Sequence, residues 1–157
     1  MSPLNVIDHP HNRQVVAALR AVYYVFAKSW GRDRDAVPVF STELDLGELR
    51  THPDLGSALN MAAIGLPHTF GLILGYQVMV NAAGIIFALA MSMGFLAVRL
   101  PATGPKKTVN PIPGGPDIDL GADWVTANPW NREALHQLLA DSLAYVNGLA
   151  EEAETVA

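Results

Sequence analysis

The chain has 157 residues, half of them apolar and 16% charged, with no cysteine and a formal net charge of −5. That length suits one ordinary domain with a sizeable core. The acidic balance argues against a nucleic-acid partner, which needs a basic patch to displace counterions, and the ten Lys and Arg residues are scattered.

Zero cysteines exclude disulfides, thiol chemistry and cysteine metal sites. The opening residues lack the basic and apolar regions of a secretory leader, so a cytoplasmic location is expected.

Val15, Val16, Leu19, Val22, Tyr23 and Phe26 form a single stripe that predicts a helix over 12–29. Asn12 is its expected cap and Gly31 its expected stop. Arg32, Asp33, Arg34 and Asp35 read as a solvated link, followed by a short extended piece at Val37, Val39 and Phe40 with Pro38 at an edge. A second helix is predicted over 53–64, opened by Pro53 and Asp54 and closed by Gly65 and Pro67.

From Leu55 to Val98 there is no Asp, Glu, Lys or Arg. One reading is a membrane-embedded helical hairpin at 55–98, since about 20 consecutive apolar residues suffice for a span. The other is a soluble meander of antiparallel strands at 70–80, 85–90 and 95–100. The punctuation favours the meander: turns are indicated at Asn81-Ala82-Ala83-Gly84 and at Met91-Ser92-Met93-Gly94, and Pro101 ends the last strand.

Residues 101–122 are a Pro/Gly-rich loop. A short strand follows over 123–127, then a closing helix from Asn128 and Pro129. Leu135, Leu138, Leu139, Leu143, Val146 and Leu149 line one face of that helix, and its tail over 151–157 is expected to fray. These elements make an α/β domain of the α+β type, an antiparallel sheet of about four or five strands packed by N-terminal, middle and C-terminal helices. The single domain divides into an N-terminal extension over 1–52, a core over 53–150 and the tail.

Within that core, Gly65-Leu66-Pro67-His68-Thr69-Phe70-Gly71 follows a helix. Val78-Met79-Val80-Asn81, Ile86-Phe87-Ala88-Leu89 and Phe95-Leu96-Ala97-Val98-Arg99-Leu100-Pro101 come next, and Asp123-Trp124-Val125 precedes the last helix. This succession resembles the small TfoX N-terminal-like and YjbR-like (double-wing) domains over roughly 53–150. Two departures are the N-terminal helix and Gly84-Ile85, where those domains carry a lysine. The resemblance implies the fold; it suggests DNA-related roles for some members, against which the acidic balance stands.

The candidate ligand-binding residues are His68, Arg99, Asp123 and Trp124. His68 is the one histidine of the charge-free stretch; it is expected among apolar neighbours, bonded to a backbone carbonyl, with a pKa lowered by burial. Arg99 ends a long apolar strand and can pair with Asp119 or Asp123. Trp124 and Trp130 are expected to cap the core between sheet and closing helix. Asp8-His9-Pro10-His11 offers two imidazoles and a carboxylate but reads as a polar terminus, so no metal site is expected. No cofactor is expected: neither a dinucleotide fingerprint nor a phosphate-binding loop is present.

Three functional readings follow. The first is a non-enzymatic binding or regulatory module that self-associates as a homo-oligomer, since low charge leaves apolar surface to cover. The second is a small-ligand binder or enzyme with its pocket between the sheet and loop 101–122. The third is a membrane-associated protein using the 55–98 hairpin.

Overall fold

A computed structural model describes residues 6, 8–19, 21, 51–73, 76–91, 94–102 and 118–156, with backbone alone for Ile73 and 153–156. Val22, Tyr23, Phe26, Gly31, the 32–35 link, the 37–40 piece and the 103–117 part of the long loop lie outside those residues.

A 3₁₀ turn at Pro10–Asn12 leads into helix α1, helical over 13–19 and at 21. Its apolar stripe is buried: Val15, Val16 and Leu19 are at most 4% exposed. Helix α2 spans Pro53–Ala62 and is capped by His52, whose Nδ1 accepts from the Asp54 N–H at 3.1 Å. Pro53 stands in the first turn, where its missing N–H costs nothing. The Ala63 N–H still returns to the Leu59 carbonyl, and Gly65 takes a left-handed φ of 92° as the chain leaves the helix.

The strands are β1 (Phe70–Ile73), β2 (Gln77–Val80), β3 (Ile86–Met91), β4 (Phe95–Arg99) and β5 (Trp124–Thr126), and helix α3 spans Arg132–Val156. They form one antiparallel sheet in the order β1-β2-β3-β4-β5. The expected α+β architecture is therefore the observed one. The predicted 70–80 strand is two strands, because Phe70 pairs with Val80 and Ile73 with Gln77. An apolar run has no alternation to mark where a chain doubles back.

In place of a helical hairpin, the charge-free stretch makes α2 and β1 to β4. Among the described residues no helix is long and apolar enough to cross a membrane. Residues 151–156 continue α3.

The sheet is covered on both faces. One core joins Val6 and α1 to Tyr76, Val78, Val80, Ile86, Leu89, Met91 and Ala97. The other joins α2 and α3 to Met79, Phe87, Ala88, Ala90, Leu96 and Val98. A strand buried on both faces needs no polar residue at alternate positions, which explains the absence of charge in β3. Burying a Leu, Ile or Phe side chain fully contributes roughly 1.5–3 kcal/mol, and β3 with its flanks supplies Ile85, Ile86, Phe87, Leu89 and Met91, each 0% exposed.

The register between β2 and β3 slips at one place: Met79 pairs with Ala88 but Val80 with Ile86. Phe87 is the extra residue of a β-bulge, so Phe87 and Ala88 both enter the α2–α3 core while Ile86 and Leu89 face α1. Side chains from three elements satisfy the backbone there. Asn12 Oδ1 accepts from the Ile86 N–H at 2.8 Å, an Arg99 guanidinium nitrogen donates to the Ile86 carbonyl at 3.3 Å, and Ser142 Oγ donates to the Phe87 carbonyl at 3.2 Å.

Asn12 also donates to the carbonyls of Val6 at 2.7 Å and Gly84 at 2.8 Å, so it anchors the sheet instead of capping α1. Asn81 organises the β2–β3 turn, its Oδ1 accepting from the N–H groups of Ala83 and Ile85. A glycine is required at the turn's end, where Gly84 has a φ of 85°.

Candidate functional site

Three of the four sequence candidates converge. Arg99 and Trp124 are paired residues across β4 and β5, so their side chains share a face, and the guanidinium lies 5.8 Å from the indole centroid. Asp123, one residue before β5, accepts from Arg99 Nε at 2.7 Å through Oδ2. The same oxygen accepts from the Tyr145 hydroxyl of α3 at 3.1 Å. Asp123 thus joins the residue that faces α1 to the helix on the opposite side of the sheet. No sequence signal singled out Tyr145, whose position on α3 matters only once that helix lies beside β5.

Arg99 is 7% exposed overall, and a buried guanidinium is tolerable only when paired and hydrogen-bonded. Asp123 and the Ile86 carbonyl meet that need. Burial raises the pKa of the Tyr145 hydroxyl, and the Asp123 charge and its hydrogen bond add to the rise. His9 stands close enough to feel the same arginine. Burial is the first cause that lowers its pKa, followed by the charges of His11 and Arg99. His9 Nδ1 accepts from the His11 N–H at 3.1 Å, which fixes the entry into the 3₁₀ turn.

Trp124 packs against the α1-side core, on the opposite face of the sheet from the closing helix it was expected to meet, and among the described residues its buried indole N–H has no partner. Trp130, by contrast, is 61% exposed and does not cap the core. Asn128 Oδ1 accepts from the Trp130 N–H in a local turn, while Asn131 caps α3 by accepting from Ala134. The indole precedes the helix and is carried outward.

His68 does not join the cluster. It sits in the turn between α2 and β1, exposed, with a left-handed φ of 54°. Among the described residues it has neither the expected apolar enclosure nor a carbonyl partner, because the chain turns at Gly65 and Pro67 on the surface before β1 begins. β1 and β5 are opposite edges of the sheet, four strand spacings or roughly 19 Å apart. The pocket expected between the sheet and loop 101–122 involves residues 103–117, outside the described ones. His9 and His11 are 5.7 Å apart, ring centre to ring centre, and among the described residues no group of three or more His, Cys, Asp or Glu could hold a metal.

A second feature lies where α2 ends against the start of α3. Met61, Ile64, Arg132, Glu133 and His136 line an open cleft of about 390 Å³. Met61 is 48% and Ile64 64% exposed. His136 Nδ1 lies 2.7 Å from the Ala62 carbonyl. A carbonyl oxygen only accepts, so Nδ1 is the donor of this bond. This one bond ties the C-terminal end of α2 to the first turns of α3 and so shapes the cleft.

Comparison of the chain with protein-family models, with curated proteins and with solved structures finds no match.

Proposed function

We propose that the chain is a non-enzymatic binding module that self-associates, with its contact surface at the junction of α2 and α3. The observation that carries this reading is the placement of two large apolar side chains, Met61 and Ile64, at the surface beside the charged and polar groups of one cleft. An apolar centre with a polar rim is the usual anatomy of a protein contact. The element order from α2 to α3 is also the order on which the likeness to the double-wing domains rests, and we extend that likeness as part of the same proposal. Light scattering on the purified full chain tests the reading: the average mass should rise with concentration towards a multiple of the chain mass. A monomer at every concentration would end it.

A second reading, a small-ligand binder, is favoured by the convergence of Arg99, Asp123 and Trp124. A small anion that raises the melting temperature of the native chain but not of Arg99→Lys would support it.

A further inference from the structure

Arg132 and Glu133 occupy the first turn of α3 and both line the cleft beside Met61 and Ile64. Successive residues of a helix do not face each other. Neither charge has an ion-pair partner among the described residues. The patch therefore offers one cation and one anion, side by side and both uncommitted, around an apolar centre.

We propose that this patch is a two-fold interface between two copies of the chain, in which Arg132 of each copy meets Glu133 of the other over a shared centre of Met61 and Ile64. The inference rests on the self-association reading and names its surface and geometry. In a two-fold contact the same surface meets itself, so residue i of one copy touches residue j of the other, and the reverse. A patch bearing a single sign of charge would repel its own image. One bearing both signs at neighbouring positions is complementary to itself after rotation. Met61 and Ile64 supply the surface that leaves water. The lining residues alone are fewer than the roughly 20–30 a side of a standard interface, so the dimer is weak and dissociates on dilution.

Sedimentation equilibrium of the full chain over a micromolar-to-submillimolar series tests the assignment, with circular dichroism confirming that each surface variant is folded. The native chain should approach twice the chain mass. Arg132→Glu and Glu133→Arg should each weaken association by about tenfold or more, because each sets like charges against one another. The double variant Arg132→Glu/Glu133→Arg should recover native association to within about threefold, since the swapped patch is again complementary to itself. Ile64→Asp should leave a monomer. A native dimer that is indifferent to these changes, or a swap that fails to recover it, overturns this surface and leaves self-association standing. A native chain that stays monomeric overturns both.

Discussion

Arg99 and Asp123 meet at 2.7 Å near one edge of the sheet, and the aspartate oxygen that takes the guanidinium also takes the Tyr145 hydroxyl. Arg99→Ala and Asp123→Ala are therefore unequal losses. The first removes a charge together with its stem. The second leaves a guanidinium buried without its counter-charge, which is expected to cost about 3 kcal/mol. Urea melts of both single variants and the double variant should show the double to be less destabilised than the sum of the singles. Simple additivity would mean that the pair contributes no coupling.

The bulge at Phe87 offers a graded test. Phe87→Ala empties a fully buried site and should cost about 3–5 kcal/mol. Asn12→Ala removes three hydrogen bonds to buried backbone groups, each orphan costing about 1–3 kcal/mol. Ser142→Ala removes one weaker bond and should cost about 1 kcal/mol. Thermal or urea unfolding should rank Ser142→Ala well below the other two. If Asn12→Ala proved as mild as Ser142→Ala, the anchor assigned to Asn12 would be wrong.

Acidification should destabilise the fold through His9. Its folded pKa lies below the ordinary imidazole value, so the unfolded chain binds the proton more readily. The stability this contributes is fully present above about pH 6.5 and is lost as the pH falls through the lowered folded value. His9→Asn keeps an acceptor for the His11 N–H and removes the titration. The variant should show a flatter pH dependence of stability across that window; an unchanged slope would assign the effect elsewhere.

Tyr145 titrates in the opposite sense at the alkaline end. Its raised pKa means that the folded state keeps the phenolic proton where the unfolded chain has lost it. The associated stability is complete below about pH 10 and falls away above it. Phenolate absorbance should find one tyrosine ionising late, and Asp123→Asn should bring that ionisation earlier. No change on that substitution would remove Asp123 as a cause.

His68 holds a left-handed φ of 54° without glycine's freedom, a conformation that costs a residue with a Cβ about 1 kcal/mol. His68→Gly should leave stability unchanged or raise it by up to about 1 kcal/mol in thermal melts. A clear loss would show that the imidazole holds the turn in place.

The sheet and its helices were legible because each element carried its own signal. Val15, Val16 and Leu19 repeat at helical spacing, and Pro53 and Pro101 mark an opening and an end. The reversal inside 70–80 and the bulge at Phe87 were not legible, since β1 and β3 carry no polar residue to betray which face is which and the lone Gln77 of β2 does not mark a turn. Asn12 and Asn128 were misread for a different reason. An asparagine before a helix can serve as a cap, a turn or a tertiary anchor, and only the distant Gly84 and Ile86 decide that Asn12 is the third. The Arg99–Asp123 pair was among the pairings the sequence suggested, but Trp124 packs on the α1 side of the sheet and not under the closing helix, a choice of face that the strand pattern does not encode. Tyr145 and His9 entered that neighbourhood through α3 and the 3₁₀ turn, contacts that no local pattern encodes. The cleft residues Met61, Ile64, Arg132, Glu133 and His136 were missed because exposure of an apolar side chain is a property of packing.

The bulge also has a bearing on how the chain assembles in time. Its backbone is satisfied by Asn12, 74 residues upstream of Ile86, and by Ser142, 55 residues downstream of Phe87. During synthesis the first anchor emerges long before the strand it serves, and the second long after. The bulge in the middle strand is therefore fully hydrogen-bonded only once both distant segments have arrived. Contacts of such separation slow folding.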